Sequence, residues 1–126
     1  DAIFVRGGFA GEATATNIFV VLPDGRGGSQ IVTPSLESVS ILAGVTRDLL
    51  LERMSEIVER PVRAEELARA SEILLCGTNT MIASVLTLDG RPVGDGKVGP
   101  VARRLARTLV EVVGAELASP AMTGAA

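Results

Sequence analysis

The sequence predicts a mixed α/β or α+β domain in which helices pack against strands. Three observations support this fold class. Several short β-branched apolar runs end at glycine or proline, and two longer stretches repeat apolar residues at helical spacing. The 126 residues are 47% hydrophobic, which is enough to form one buried core. The predicted strands and helices follow one another irregularly, so α/β and α+β both remain open.

The first part of the chain predicts strands. Residues 2–5 form a short apolar run before a pair of glycines, and residues 17–22 read NIFVVL, as a buried strand does. Glycines at 25, 27 and 28 predict a hairpin turn into a second strand at residues 30–33, which Pro34 closes.

The middle of the chain predicts two helices. Apolar residues at helical spacing indicate an amphipathic helix over residues 46–60, which Pro61 ends. Thr46 is the expected N-cap, and Asp48 suits the positive end of the helix dipole. A shorter helix is expected at residues 64–70.

The last part predicts two more strands and a final helix. Residues 73–76 and 81–88 read as strands, the second of them turning at Asp89-Gly90. Apolar spacing predicts a helix over residues 101–113, and the small residues of 115–126 predict a flexible tail.

Composition excludes several classes of protein and site. The formal net charge of −3, without a basic cluster, and the 2% aromatic content argue against nucleic-acid binding. Histidine is absent and Cys76 is the only cysteine, so no metal site is expected and a histidine-based catalytic triad is excluded.

The same composition bears on location. A single cysteine cannot form an intrachain disulfide, which favours a reducing, cytoplasmic setting. No apolar run approaches the roughly 18 residues of a membrane span, and the first residues do not resemble a signal peptide. Because residues 2–5 already read as a strand, we expect the chain to be part of something larger.

Three segments place small polar groups where a core would be apolar. They are residues 11–17, 42–47 and 76–80. Two of them combine a glycine turn with a threonine, and backbone N–H groups at a helix start beside a hydroxyl can bind an anion. Each segment also has a simpler interpretation: Glu12 as a solvated loop residue, and the other two as ordinary turns.

The three segments together resemble a known family. The matching strings are Glu12-x-Thr14-x-x-Asn17-Ile18-Phe19, Ile31-x-Thr33 and Leu42-x-Gly44-Val45-x-Arg47. They are similar to the signature of class IV pyridoxal-phosphate aminotransferases of the branched-chain and D-amino-acid type. The resemblance extends over residues 1–113 and implies that residues 1–114 are the carboxy-terminal, cofactor-binding domain of the D-amino-acid aminotransferase-like fold.

The resemblance implies roles for individual residues. Glu12 matches the carboxylate that keeps the cofactor's pyridine nitrogen protonated, and Leu42 matches the apolar residue against its ring. The start of the helix matches the first phosphate anchor, formed by Gly44, Val45 and Thr46.

Beyond the helix, Thr78 matches the second phosphate anchor, and Thr78-Asn79 matches the turn that binds the substrate carboxylate. For Asn17 and Arg47, which also belong to the signature, we expect structural roles.

The chain departs from a complete enzyme of this family in one respect. The family's Schiff-base lysine precedes the Glu12 position, whereas the only lysine here is Lys97, which we expect to be a solvated loop residue. No catalytic residue is therefore expected in this chain, and the isolated chain should be inactive. The loop around Lys97 also lacks the glycine and hydroxyl of a P-loop. Cys76 is expected to be an inert buried thiol.

Three functions remain open at this point. The resemblance implies amino transfer between an amino acid and a 2-oxo acid in a homodimer, with D or L configuration undetermined. An aminodeoxychorismate lyase shares the fold and much of the signature, although the turn at residues 78–81 favours an aminotransferase. The absent lysine favours a third possibility, a non-catalytic fragment.

Overall fold

A computed structural model describes residues 2–14, 16–36, 44–77 and 81–117 of the chain. These ranges contain ten strands, two α-helices and one 3₁₀ helix. In chain order they are β1 (Ile3–Arg6), β2 (Phe9–Ala13), β3 (Asn17–Pro23), β4 (Ser29–Thr33), α1 (Val45–Arg53), β5 (Val58–Glu59), β6 (Val62–Arg63), the 3₁₀ helix (Ala64–Arg69), β7 (Glu72–Gly77), β8 (Met81–Ser84), β9 (Thr87–Leu88), β10 (Arg91–Pro92) and α2 (Pro100–Leu117).

Within the described ranges, β1 to β8 belong to one sheet with β3 at its centre. Strand β3 pairs antiparallel with β4 and β7, and β8 pairs with β7. On the other side, β4 pairs in parallel with β5, and the following strand β6 pairs with β2. Strand β2 returns to the start of β3 through the pair Glu12 and Asn17. This part of the sheet therefore curls back on itself.

The core lies on both faces of β3, which explains why its sequence is continuously apolar. Alternate residues of a strand point to opposite faces. Phe19 and Val21 pack with the buried residues of α1 and α2, whereas Ile18, Val20 and Leu22 pack with Val62 of β6 and with the 3₁₀ helix. The mixed strand-and-helix class predicted from the sequence is confirmed.

The predicted helix at 46–60 is too long. Helix α1 ends at Arg53, and Val58-Glu59 forms strand β5 beside Val32-Thr33. Met54 and Ile57 are nevertheless buried among the residues that α1 contributes to the core. The apolar spacing therefore identified Leu50, Met54 and Ile57 correctly as buried, whereas Val58 is 40% exposed. Pairing with β4 replaced the end of the predicted helix with a turn and a strand.

Two further predictions differ from the structure. Strand β2 (FAGEA) was not predicted, because alanine and glycine have low β propensity; it is formed through pairing with β1, β3 and β6. The single strand expected at 81–88 is two strands, β8 and β9. The turn at Asp89-Gly90 is confirmed, with positive φ angles of 52° and 78° joining β9 to β10.

Two helical segments agree in position with the sequence. The short helix expected at 64–70 is the 3₁₀ helix at Ala64–Arg69. Helix α2 includes the predicted 101–113 segment and buries Leu105 and Leu109. It continues to Leu117, three residues into the predicted tail, and residues 118–126 lie outside the described part of the chain.

Candidate functional site

Four strands place one residue each in a row across one end of the sheet. Asn17 of β3 lies opposite Glu12 on one side and Cys76 on the other, and Cys76 lies opposite Ile82 of β8. Residues directly opposite one another share a face of a sheet. Phe19, two residues beyond Asn17, packs with Leu50 of α1 in the core, so the row lies on the face that α1 covers.

The amino end of α1 meets this row at Asn17. The N–H of Gly44, the N-cap residue, donates a 3.2 Å hydrogen bond to Asn17 Oδ1. The first intrahelical bond runs from the Asp48 N–H to the Gly44 carbonyl at 3.0 Å. The N–H groups of Val45, Thr46 and Arg47 therefore have no acceptor within the helix, and they lie at the positive end of its dipole.

Gly44 is needed at this position because of close approach, not because of its backbone angles. Its φ of −74° and ψ of 144° are accessible to any residue. A Cβ atom built at Gly44 would collide with Asn17 Oδ1. The sequence predicted Thr46 as the N-cap; instead Gly44 occupies that position, and Thr46 is the second residue of α1 with its side chain buried.

Arg47 anchors the first turn of α1 from inside the protein. Its side chain is 1% exposed and is the largest fully buried one among the described residues. It donates to Glu59 Oε2 at 2.8 Å, to Asp48 Oδ1 at 3.2 Å and to the Pro34 carbonyl at 3.2 Å. These contacts and the Asn17 bond to α1 hold the start of the helix in place, as the structural roles expected for Asn17 and Arg47 require.

The structure brings together those predicted site residues that it describes. Glu12 lies half-buried in β2, not in the loop that the sequence indicated, and pairs with the residue that contacts Gly44. Val45 is 71% exposed and Thr46 is 8% exposed at the same helix start. Leu42, Thr78 and Asn79 lie outside the described residues.

The chain on either side of the second predicted turn reaches the same end of the sheet. Gly77, the last residue of β7, lies opposite Met81, the first residue of β8. This pair is next to the pair of Cys76 and Ile82, which belongs to the row. Met81 has a positive φ of 58°, a conformation that costs a non-glycine residue free energy.

Sequence reasoning did not single out Thr16. This residue precedes Asn17, is 9% exposed, and its Oγ1 has no hydrogen-bond partner among the described residues. A buried hydroxyl without a partner costs free energy, so it marks a position that a bound group or further protein would satisfy. The only signal in the sequence was that a threonine stands immediately before an apolar strand.

Lys97 lies at the other end of the sheet. It lines a cavity with Glu72, the first residue of β7, whereas the row crosses the opposite end of that strand. The two ends of β7 are about 16 Å apart at the usual rise of a strand. Lys97 is exposed and its backbone N–H donates to Asp95 Oδ1 at 2.9 Å, as a solvated loop residue does.

The amino end of α2 is already occupied by a protein carboxylate. Glu72 accepts hydrogen bonds from the N–H groups of Val101 and Ala102, each at 3.0 Å. A Cβ atom at Gly99 would collide with the same carboxylate. Glu72 of β7, and not an external anion, therefore accepts hydrogen bonds from the N–H groups at the start of that helix.

Cys76 lies within the row as a buried thiol. Its side chain is buried, and burial raises the pKa of the thiol to about 12, although the nearby Arg47 guanidinium acts in the opposite direction. A thiol with this pKa stays protonated at neutral pH. The predicted burial of Cys76 is confirmed, and its inertness stays a prediction.

A family model and two known proteins match this chain in sequence. The family model described as Amino-transferase class IV matches residues 1–88, a range that includes the row and the start of α1. The chain is 37% identical over 110 residues to branched-chain-amino-acid aminotransferase-like protein 2 of Arabidopsis thaliana, covering 83% of this chain and 18% of that protein. It is 33% identical over 110 residues to the D-alanine aminotransferase of Staphylococcus aureus (strain COL), covering 83% of this chain and 36% of that protein.

The fold agrees with a solved structure. The branched-chain amino acid aminotransferase from Thermobaculum terrenum, crystallised in its PLP-form (holo-form), superposes with a TM-score of 0.75 at 33% identity. The match covers 89% of this chain and 36% of that one. The chain thus spans well under half the length of each of these three proteins.

Proposed function

This chain belongs to the class IV aminotransferases, and we propose that residues 1–114 are the carboxy-terminal cofactor-binding domain of a pyridoxal-phosphate enzyme. The reaction would transfer an amino group between an amino acid and a 2-oxo acid. The observation that supports this most is the meeting of Glu12 and the start of α1 at one end of the sheet, through Asn17. A carboxylate and a cluster of N–H donors are what the two ends of this cofactor require.

The start of α1 would hold the phosphate. The N–H groups of Val45 and Thr46 lie at the positive end of the helix, where a phosphate is stabilised without a cationic side chain. Gly44 leaves this turn close to Asn17. Thr78 would contribute the second anchor and Leu42 the apolar contact to the ring, as the family signature implies, and Thr78-Asn79 would bind the substrate carboxylate.

Glu12 would act on the ring. When bound, pyridoxal phosphate supplies an electron sink for the negative charge that develops at the substrate's α-carbon. A carboxylate beside the pyridine nitrogen keeps that nitrogen protonated, which strengthens the sink. Glu12 is half-buried within β2 and paired with Asn17, so its backbone position is fixed by the sheet.

The covalent attachment of the cofactor requires a lysine from elsewhere. Lys97, the only lysine of these 126 residues, lies at the opposite end of β7 from the row. We therefore assign the Schiff-base lysine to protein outside this chain. The short span of the chain relative to its matched relatives supports this assignment.

The assembly and location belong to the same proposal. We propose a homodimer that acts in the cytoplasm, consistent with one buried cysteine and no disulfide. Within the described ranges, no helix is both long and apolar enough to cross a membrane. The substrates would be small amino acids and 2-oxo acids.

One assay separates amino transfer from the lyase reaction. The natural protein that contains this chain is loaded with pyridoxal phosphate and offered branched-chain L-amino acids or D-alanine with 2-oxoglutarate. Appearance of glutamate that depends on both substrates supports the proposal. Pyruvate release from aminodeoxychorismate without any dependence on an oxo acid would instead assign the lyase reaction. The absence of both reactions in cofactor-loaded protein would contradict a catalytic role.

A further inference from the structure

We propose that Asn17 is a positioning residue that sets the separation between the two ends of the cofactor site. This inference rests on the proposed function. It assigns to Asn17 no contact with the cofactor: the residue acts through Gly44 on the phosphate end and through Glu12 on the ring end.

Asn17 has a fixed place in the sheet. Its backbone pairs with Glu12 on one side and with Cys76 on the other, and the residue is 6% exposed. Its position relative to Glu12 is therefore fixed by strand pairing. The residues that follow Asn17 in β3 are buried on both faces of the sheet, which restricts movement of this end of the strand.

A hydrogen bond joins Asn17 to the start of α1. Asn17 Oδ1 accepts from the Gly44 N–H at 3.2 Å, and this N–H belongs to the N-cap of the helix that would hold the phosphate. One short side chain thus links the strand pair that carries the candidate ring carboxylate to the helix that carries the candidate phosphate donors. An asparagine has only two side-chain torsions, so this link tolerates little variation in length.

A glycine occupies position 44, where α1 comes closest to Asn17. Its backbone angles require no glycine, yet a Cβ atom there would collide with Asn17 Oδ1. The helix start therefore approaches Asn17 as closely as a residue without a side chain allows. Any larger residue at position 44 would have to move α1 away from the row or displace the Asn17 side chain.

These contacts matter for a ligand that is held at both ends. Such a ligand gains affinity only when the two subsites have the spacing that it requires, whereas a ligand held at one end does not depend on the spacing. A misplacement of about 1 Å is enough to lose a large part of this gain. The proposal thus predicts different effects on two-ended and one-ended ligands.

The test compares two probes on the natural protein that contains this chain, purified without cofactor. Pyridoxamine 5'-phosphate occupies both ends and needs no lysine, whereas inorganic phosphate occupies one end. We expect Asn17→Ala to weaken pyridoxamine phosphate binding at least tenfold and phosphate binding less than threefold. Gln30→Ala, an amide lost from the other end of the sheet, should change neither affinity.

Gly44→Ala is the second variant. The double variant, Asn17→Ala with Gly44→Ala, completes a double-mutant cycle. Gly44→Ala should also weaken the two-ended probe selectively. Because removing the Asn17 side chain removes the collision, Asn17→Ala with Gly44→Ala should bind pyridoxamine phosphate no worse than the weaker single variant. Thermal unfolding shows whether each variant folds. If one single variant does not fold, binding of the two probes to the other single variant tests the positioning role.

The outcomes are distinct. Equal weakening of both probes, or no weakening of pyridoxamine phosphate, in the folded variants would overturn the positioning role of Asn17 while leaving the proposed function intact. Additive losses in the double variant would overturn it as well. Failure of the unaltered protein to bind pyridoxamine phosphate would overturn the proposed function itself and, with it, this inference.

Discussion

Glu12, Asn17 and Gly44 show how single residues build the candidate site. Glu12 and Asn17 are five positions apart in the sequence but lie directly opposite each other, because β2 and β3 pair at this point. Gly44, 27 positions after Asn17, reaches it through one hydrogen bond. The signature spacing thus describes a strand pair followed by a helix start that docks onto it.

The first prediction concerns Glu12. In the natural protein, Glu12→Gln should retain cofactor binding but lower kcat at least tenfold, which corresponds to about 1.4 kcal/mol in the barrier. An amide cannot keep the pyridine nitrogen protonated as a carboxylate does, so the charge at the α-carbon is less well stabilised. The measurement is steady-state kinetics of amino transfer. The exposed Glu65 supplies a control, Glu65→Gln, which should leave kcat unchanged; unaltered kcat in Glu12→Gln would refute the role of Glu12.

The second prediction concerns Arg47. Arg47→Met should lower the free energy of unfolding by about 2 kcal/mol, chiefly because the buried Pro34 carbonyl loses its donor. Asp48 and Glu59 are half-exposed and regain water, so their loss of the guanidinium adds little. Arg47→Lys should recover only part of the loss, because an ammonium cannot reproduce the planar set of donors.

Urea unfolding measures this effect. Arg53→Met, in the same helix at an exposed position, is the matched control and should stay within about 0.5 kcal/mol of the unaltered protein. A neutral or stabilising Arg47→Met would show that the buried guanidinium does not anchor α1.

At the scale of elements, the two α-helices use their amino ends differently. Helix α2 begins on the carboxylate of Glu72, which takes the N–H groups of Val101 and Ala102. Helix α1 begins on Asn17, which accepts from the N-cap N–H, and the N–H groups of the first turn have no intrahelical acceptor. The sequence shows that a glycine precedes each of these helices. It does not show which helix start is hydrogen-bonded by a side chain from a distant strand.

The 3₁₀ helix gives a prediction about pH. Glu66 accepts bonds from the Arg60 guanidinium at 3.1 and 2.9 Å and from the Arg63 N–H at 2.9 Å. The bond from Arg60 is the main cause that holds the pKa of Glu66 below its ordinary value of 4.5, against the opposing effect of burial. The folded state therefore binds protons less readily than the unfolded state, and the resulting stability is present above that ordinary pKa and lost as pH falls through the lowered one.

Glu66→Gln should accordingly cost about 1 kcal/mol of unfolding free energy at pH 7, and the difference from the unaltered protein should shrink below about pH 4.5. Urea unfolding over a pH series measures it, and Glu65→Gln, one residue earlier and exposed, serves as the control. A difference that is constant down to pH 2 would show that the ion pair with Arg60 does not stabilise the fold.

For the whole molecule, the sequence predicted which residues are buried better than it predicted the path of the chain between them. Phe19, Met54 and Ile57 were expected in the core and are buried there, but Met54 and Ile57 lie beyond the end of α1. Residues 58–59 form a strand because β4 offers a partner, and β2 forms because three strands surround it. Such pairings depend on residues far apart in the sequence, which local periodicity does not report.

The residues of the candidate site were indicated by the family signature and not by local periodicity. The signature strings identified Glu12, Gly44 and Thr46 from their spacing, and the structure places these residues at one end of the sheet. The physical reason for each residue was only partly predictable. Gly44 was expected to form a turn, but the structure shows that it allows α1 to approach Asn17 closely. Thr16 was not singled out, since a buried hydroxyl without a partner in the described part of the chain has no signature in sequence.

The position of Lys97 gives a prediction for the entire chain. When the 126-residue chain is mixed with pyridoxal phosphate and reduced with borohydride, labelling of Lys97 should remain well below one cofactor per chain. Lys97 is exposed and lies by Glu72, away from the row. Peptide mapping by mass spectrometry measures the labelling, and the Lys97→Arg form of the natural protein should keep full amino-transfer activity. Stoichiometric labelling of Lys97 would move the active site to its loop.

The central claim is that one cofactor lies between Glu12 and the start of α1. A crystal structure of the natural protein with pyridoxamine 5'-phosphate tests it most directly. We expect the phosphate at about 3 Å from the N–H groups of Val45 and Thr46, and the pyridine nitrogen at hydrogen-bond distance from the Glu12 carboxylate. A phosphate bound instead at the loop of Lys97, or a ring nitrogen that does not face Glu12, would contradict it.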